Sequence, residues 1–244
     1  MQEDIDKSYR IAKTPEDISE LIAYIGDHGT NYDDINDVVA IDTEDTGLNW
    51  RKDRVVGWSI TVEVGTGWYI PTLIWDNEKQ QLVDFMFGDK TGTEVSTMIF
   101  KKILKGRKII GHNYDYDSKM IEGSFKIDTL PDLWADTILL VHTVQEEGVG
   151  RGGAENFGLK KIAIACQKEL GLDVEKAANE EQIELKKSIQ ENGGAISKAK
   201  YEIYKADLDI LGKYAAADTD LTFRVYLLFI KKLVEEELVD FFFK

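Results

Sequence analysis

The order in which two periodicities follow one another constrains this chain more than any other feature. Val38 to Ile41 is a short apolar, β-branched run that ends in charged residues, Val55 to Val64 follows with alternating apolar positions, and Trp68 to Pro71 closes the series. Three strands in a meander are expected. From Thr93 the period changes: Val95, Met98, Ile99, Ile103 and Leu104 recur at helical spacing, and Lys108 to Ile110 restarts as a strand. A helix from about Tyr114, a short strand over Leu133 to Ala135, and helices over Thr137 to Val144 and Leu159 to Leu170 continue an α/β pattern. The expected architecture is a central mixed β-sheet, a meander followed by alternating helices and strands, with helices packed on both faces.

Residues 173–205 are rich in Glu and Lys with sparse apolar positions, and read as a solvated helical insertion on the surface. A last long helix is expected from about Leu208 to Leu233, with Leu208, Leu211, Ala215, Leu221, Val225 and Leu228 or Phe229 on one broad face. Three consecutive phenylalanines near the end either dock on this domain or once led into another. With 244 residues and 43% apolar content the chain can bury a real core, and is read as one domain, 1–244, with its core over about 38–233.

No run approaches the roughly 18 apolar residues of a membrane span. The N-terminus, with Glu3, Asp4 and Asp6, lacks a basic-then-apolar signal peptide, so an intracellular protein without a membrane partner is expected. The single Cys166 lies among Ile162, Ala163, Ile164 and Ala165, where a buried structural thiol is expected rather than a nucleophile. A net charge of −15 excludes a general nucleic-acid coat, because such affinity comes mainly from lysine and arginine. Any affinity for nucleic acid must come from a local site, from metal ions or from a basic partner.

Three pairs of residues carry chemistry. Asp42 and Glu44 sit just past the first strand and two residues apart, so the strand period points both carboxylates to one face, where a divalent cation would relieve their repulsion. Acidic residues at a strand end also commonly start a turn, and the other two pairs weigh against that reading. Asn113 and Asp117 stand four apart where a helix begins; Asn113 is expected to cap it and Asp117 to favour its positive end, which is compatible with a metal role. Tyr214 and Asp218 are again four apart, across three alanines that leave room for a close approach, and Asp220 follows. No basic residue lies one turn from Asp218, so a metal ion is its expected partner if it is buried.

In that order, and on strand, strand-to-helix junction and late helix, Asp42-Thr43-Glu44, Asn113-x-x-x-Asp117 and Tyr214-x-x-x-Asp218 resemble the three exonuclease motifs of the DEDD superfamily. The tyrosine of the third motif resembles the tyrosine branch, which includes the proofreading domain of DNA polymerase I-type enzymes and ribonuclease D. The similarity covers roughly Val38 to Leu233. Leu48 matches the leucine that wedges against the terminal base, and Asp136-Thr137 and Gly158-Leu159-Lys160 resemble the connecting segments of the polymerase domain. The insertion at 173–205 looks more like phage-type polymerases.

The resemblance implies a ribonuclease H-like fold and two-metal hydrolysis of phosphodiester bonds from a 3′ end. Asp42 would bridge two Mg²⁺ or Mn²⁺ ions, Glu44 and Asp218 would complete the first site, and Asp117 would hold the second largely through water. Tyr214 would orient the attacking water, and Thr43, Leu48, His112 and Asn113 would line the substrate. The implied substrate is a single-stranded or frayed DNA 3′ end, and the implied partner a DNA polymerase domain or subunit, in the cytoplasm of a cell or of a phage's bacterial host.

Two further readings stay open: a ribonuclease D-like RNA exonuclease, since the motifs do not read the sugar, and a catalytically silent docking domain, against which four intact carboxylates argue. Gly148-x-Gly150-x-x-Gly153 has the spacing of a dinucleotide fingerprint but follows a helical stretch, and is read as a loop in which Arg151 is solvated. His28, His112 and His142 share no metal-ligand spacing, so zinc is not expected.

Overall fold

The periodic runs become strands and helices in the computed structural model, which describes residues 8–145, 157–197 and 200–244. β1 (Ser8–Ile11) leads into α1 (Pro15–Ile25), where Thr14 and Asp17 form a capping box and Pro15 fixes the first turn. This opening segment precedes the expected core and was not foreseen. The meander follows as β2 (Val39–Asp45), β3 (Val55–Thr61) and β4 (Thr66–Pro71). Two small antiparallel pairs then stand apart from it, β5 (Leu73–Asp76) with β6 (Gln81–Asp84) and β7 (Met86–Phe87) with β8 (Lys90–Thr91).

α2 (Gly92–Ile99) runs on as a π-helical turn over Phe100–Leu104, so the single expected helix is widened at its end. Next come β9 (Ile109–Gly111), α3 (Tyr114–Phe125), β10 (Leu133–Asp136) and α4 (Thr137–Val144). The helix expected over 159–170 is two, α5 (Leu159–Ala165) and α6 (Gln167–Leu170), broken at Cys166, which is buried with its thiol pushed up to about 11 by burial. α7 (Val174–Glu191), α8 (Leu208–Glu235) and the short α9 (Val239–Phe243) complete the described chain.

The main sheet has the order β1-β4-β3-β2-β9-β10. Its centre is antiparallel, while β1 runs parallel to β4, and β9 and β10 extend parallel to β2. Alternation along β2 sorts the core into two layers. Val39 and Ile41 pack with Trp58 and Ile60 against α1, α2 and α3. Ala40, with Val38 and Ile110, packs against Val141 of α4, Ile162 of α5 and Val225 of α8.

The insertion departs from its expected solvated character. Leu185 and Ile189 of α7 are fully buried against Val56, Tyr69 and Leu211, so one stripe of a Glu- and Lys-rich helix completes a third core cluster. At the end of the chain Phe242 and Phe243 dock on the α8 layer, with the Phe243 ring 4.7 Å from that of Trp134, whereas Phe241 is exposed. The glycine motif at 148–153 and Arg151 lie outside the described residues. Among those residues no helix is long and apolar enough to cross a membrane.

Candidate active site

Asp42 and Glu44 lie inside β2 and not past its end, opposite Ser59 and Gly57 of β3. They share the parity of Ala40, so both belong to the α8 side, while Thr43 and Asp45 share that of Ile41 and belong to the α3 side. A register shift between Glu44 and Asp45 marks the bulge where the strand ends.

The junction Gly111-His112-Asn113 delivers α3 to the same end of the sheet. Asn113 does not cap the helix as expected: its backbone is left-handed, φ 65° and ψ 42°, and its exposed side chain makes no capping hydrogen bond. Asparagine tolerates that conformation better than most residues. Asp136 is the cap instead, accepting from Asn113 N at 3.1 Å and Tyr114 N at 2.8 Å, and it also caps α4 through Ile138 N at 2.8 Å. An aspartate directly before a predicted helix was the available signal for this role.

Asp117, buried one turn into α3, is turned to β2 and accepts from Thr43 N at 3.0 Å and Thr43 Oγ1 at 2.8 Å. Thr43 Oγ1 also lies 3.0 Å from Asp45 Oδ2. One hydroxyl proton cannot serve two ionised carboxylates, so the arrangement favours a proton on one of them. Burial and the Asp117 charge push Asp45 up to about 8, and burial, offset by the Thr43 hydrogen bonds, leaves Asp117 at about 7.

α8 contributes Tyr214 and Asp218. The cation that no neighbouring turn of α8 could supply comes from α5: Lys160 Nζ is 3.1 Å from Asp218 Oδ1 and 3.9 Å from the centre of the Tyr214 ring. Asp218 therefore has a basic partner, contrary to expectation, because spacing along one helix is blind to a second helix packed across it.

The charges converge on the two carboxyls of β2. Burial and then Asp117, Glu44 and Asp218 hold the Asp42 carboxyl well above its ordinary value; burial, Asp218 and Asp45 do the same to Glu44, against the opposing charge of Lys160. Burial raises Asp218, offset by Lys160 and the nearby Tyr214 hydroxyl. Burial and the Asp218 charge lift the Tyr214 phenol far above its ordinary value, which makes it a hydrogen-bond donor at neutral pH and not a base.

Among the described residues no three Asp, Glu, His or Cys side chains stand as a ready metal cage; Asp218 is turned to Lys160 and Asp117 to Thr43. The donor chemistry nevertheless fits a hard divalent cation, since four carboxylates gather charge that one lysine only partly offsets. A cleft of about 570 Å³ opens at Glu44, lined also by Thr43, Leu48, Tyr116 and Tyr201 among others, with Leu48 87% exposed; Asp218 and Lys160 line a separate, smaller cavity.

Residues 9–234 match the model of a family described as 3′-5′ exonuclease. The chain belongs to this exonuclease family. Solved structures with a similar fold include NrnC of Brucella melitensis with bound Mg²⁺, at 19% identity and TM-score 0.50, covering 96% of this chain and 84% of that one. The catalytic core of RRP6 from Trypanosoma brucei is similar at 12% identity and TM-score 0.53, over 96% of this chain and 50% of that one. The POL domain of Pol1 from M. smegmatis, in complex with DNA primer-template and dNTP, is similar at 11% identity and TM-score 0.50, over 96% and 29%. At these identities the likeness is one of fold, the ribonuclease H-like arrangement of a mixed sheet between helices. No curated protein matches the chain by sequence.

In this exonuclease the remaining residues singled out by sequence divide by environment. His112 is pinned by Thr137, Nδ1 to Oγ1 2.8 Å, and does not line the cleft. Asp220 has a structural post, accepting from Tyr9 Oη at 2.8 Å, Gly65 N at 2.8 Å and Arg224 Nε at 3.0 Å. Tyr201 and Ile203, from the segment expected to be a solvated excursion, wall the cleft opposite Leu48. Tyr201 stands between Lys200 and Glu202, and nothing in the local pattern marked it or Ile203.

Proposed function

We propose that this exonuclease is metal-dependent and removes nucleotides from single-stranded or frayed DNA 3′ ends, proofreading for a DNA polymerase domain or subunit. The observation that carries the reading is that α3 and α8 bring Asp117 and Asp218 close enough to raise the carboxyls of Asp42 and Glu44 on β2, with Glu44 lining an open cleft. Folding like charges together costs stability unless cations join them.

Asp42, Glu44 and Asp218 would hold one divalent ion and Asp42 with Asp117 a second, Mg²⁺ or Mn²⁺ being the hard cations such oxygen donors select. Bound there, the ions would stabilise the attacking and leaving oxygens of an in-line displacement. The chain's own side chains do the positioning. Tyr214, kept protonated, donates a hydrogen bond that orients the attacking water. Exposed Leu48 wedges against a terminal base, and exposed Asn113 stands at the entrance to α3. Thr43 holds Asp117 through two hydrogen bonds and lines the cleft where the strand would lie.

The test is cleavage of an end-labelled strand with Mg²⁺ and with EDTA. Asp42→Ala is expected to lower cleavage by several orders of magnitude while the circular dichroism spectrum is unchanged, and wild-type cleavage by this variant would overturn the site. Frayed or mismatched ends should be cut faster than matched ones, because unstacking a base costs least there. Faster cleavage of RNA than of the matched DNA strand would replace the DNA reading.

A further inference from the structure

A chain of net charge −15 that holds a polyanion needs a local cationic surface. Many of its surface cations are already paired, as Arg10 is with Glu20, Lys13 with Asp209 and Lys232 with Glu169. Residues 46–54, between β2 and β3, differ. Their one acid, Asp53, is turned inward, where Oδ2 accepts from Asn49 N at 2.7 Å and Oδ1 from Thr46 Oγ1 at 3.3 Å. Gly47 makes room for it, since a Cβ there would lie 2.6 Å from Asp53 Oδ2.

The loop is closed by Thr46 N to Arg54 O at 3.0 Å and Lys52 N to Asn49 O at 2.8 Å. It is also fastened to α3. Tyr116 Oη donates to Gly47 O at 3.0 Å, Val55 N to Ser124 Oγ at 3.0 Å, and the Trp50 carbonyl is seated where a Cβ on Gly123 would come within 2.4 Å. What remains on the outside is basic. Arg51 and Lys52 are exposed, and among the described residues neither has a carboxylate within ion-pair distance. The Arg51 guanidinium lies 4.1 Å over the Trp50 ring, and Arg54 makes only a 3.9 Å contact with Asp84. Leu48, at the cleft rim, is three residues before Arg51.

We propose that this loop is a preformed track for the phosphates of a single nucleic-acid strand leading away from the cleft. Arg51 and Lys52 each meet one phosphate, and the Arg51–Trp50 stack offers a face to an unpaired base. A fixed loop loses little entropy when a strand settles on it, and inward use of Asp53 removes the one acid of the loop that would repel phosphate. The inference deepens the exonuclease reading above and rests on it for the strand's direction.

The experiment is fluorescence anisotropy of a labelled 20-nucleotide oligo(dT) in EDTA across a salt series. R51Q/K52Q is expected to weaken binding about 25-fold at 0.1 M salt and to lower the slope of log Kd against log salt by about 1.4, counting about 0.7 per phosphate contact on a single strand. R51K/K52R, which keeps both charges, should bind within about twofold of wild type. K231Q/K244Q removes two exposed charges, one on α8 and one just after α9, each paired with an acid four residues away, and should also change binding less than twofold. An unchanged slope for R51Q/K52Q, equal losses for K231Q/K244Q, or no binding by wild type would overturn the track. Failure of wild type to cut 3′ ends in Mg²⁺ would remove the exonuclease reading by a separate assay and leave the binding result standing.

Discussion

Lys160→Met isolates the charge that the fold sets against its own carboxylates. At 3.1 Å from Asp218 Oδ1 the pair attracts by about 5 kcal/mol at an effective dielectric of ~20. Side-chain exposures of 25% and 15% place it between a surface pair, about 0–1 kcal/mol, and a fully buried one, about 3–5 kcal/mol when broken. A loss of about 2 kcal/mol is expected, which for a chain of this size lowers Tm by about 4–8 °C in EDTA. Mn²⁺ should narrow the difference. The ion replaces the missing positive charge, and methionine no longer repels it, so the Tm deficit narrows and the Mn²⁺ concentration at half-maximal stabilisation falls. The assay is a set of thermal melts for both proteins in EDTA and across a Mn²⁺ series. The same deficit at every Mn²⁺ concentration, with an unchanged midpoint, would show that Lys160 and the metal do not compete for one site.

Tyr214→Phe should lower kcat about 10²-fold, less than Asp42→Ala, because it removes one orienting donor and leaves the carboxylates in place; an equal loss in single-turnover cleavage would assign Tyr214 another role. Asp220→Ala strips three donors of their acceptor and takes from the buried Arg224 the carboxylate it is bonded to, so about 3–5 kcal/mol of stability should go while the Mn²⁺ shift in Tm stays as in wild type. Asp45 binds its proton more tightly folded, up to about 8 against an ordinary 3.8, so its contribution to stability is present at low pH and is lost as pH rises through that interval. Asp45→Asn should therefore melt several degrees above wild type at pH 8, within an upper bound of roughly 5–6 kcal/mol set by about four pKa units, and near it at pH 4; an equal difference at both would refute the linkage.

Much of this architecture was legible because it is local. Apolar, β-branched and alternating runs located β2, β3 and β4, the start of α3 and both ends of α4 and α8 were placed to within a few residues, and the strand period put Asp42 and Glu44 on one side of the sheet. What escaped was relational. Lys160 stands 58 residues before Asp218 on another helix, and only packing of α5 on α8 brings them together. Leu185 and Ile189 are two apolar residues among charged ones, too few to signal burial until Tyr69 and Leu211 supply the other side. Asn113 looked like a cap by residue type, yet the left-handed turn gave that task to Asp136, 23 residues away.

That double cap has a kinetic consequence. The amides of Asn113, Tyr114 and Ile138, at the starts of two different helices, share one acceptor, so rotation of the Asp136 side chain releases all three at once. Their solvent exchange should follow a single opening event, with one common protection factor, and the two crossover junctions that reach the cleft end of the sheet would breathe as one foldon and never separately.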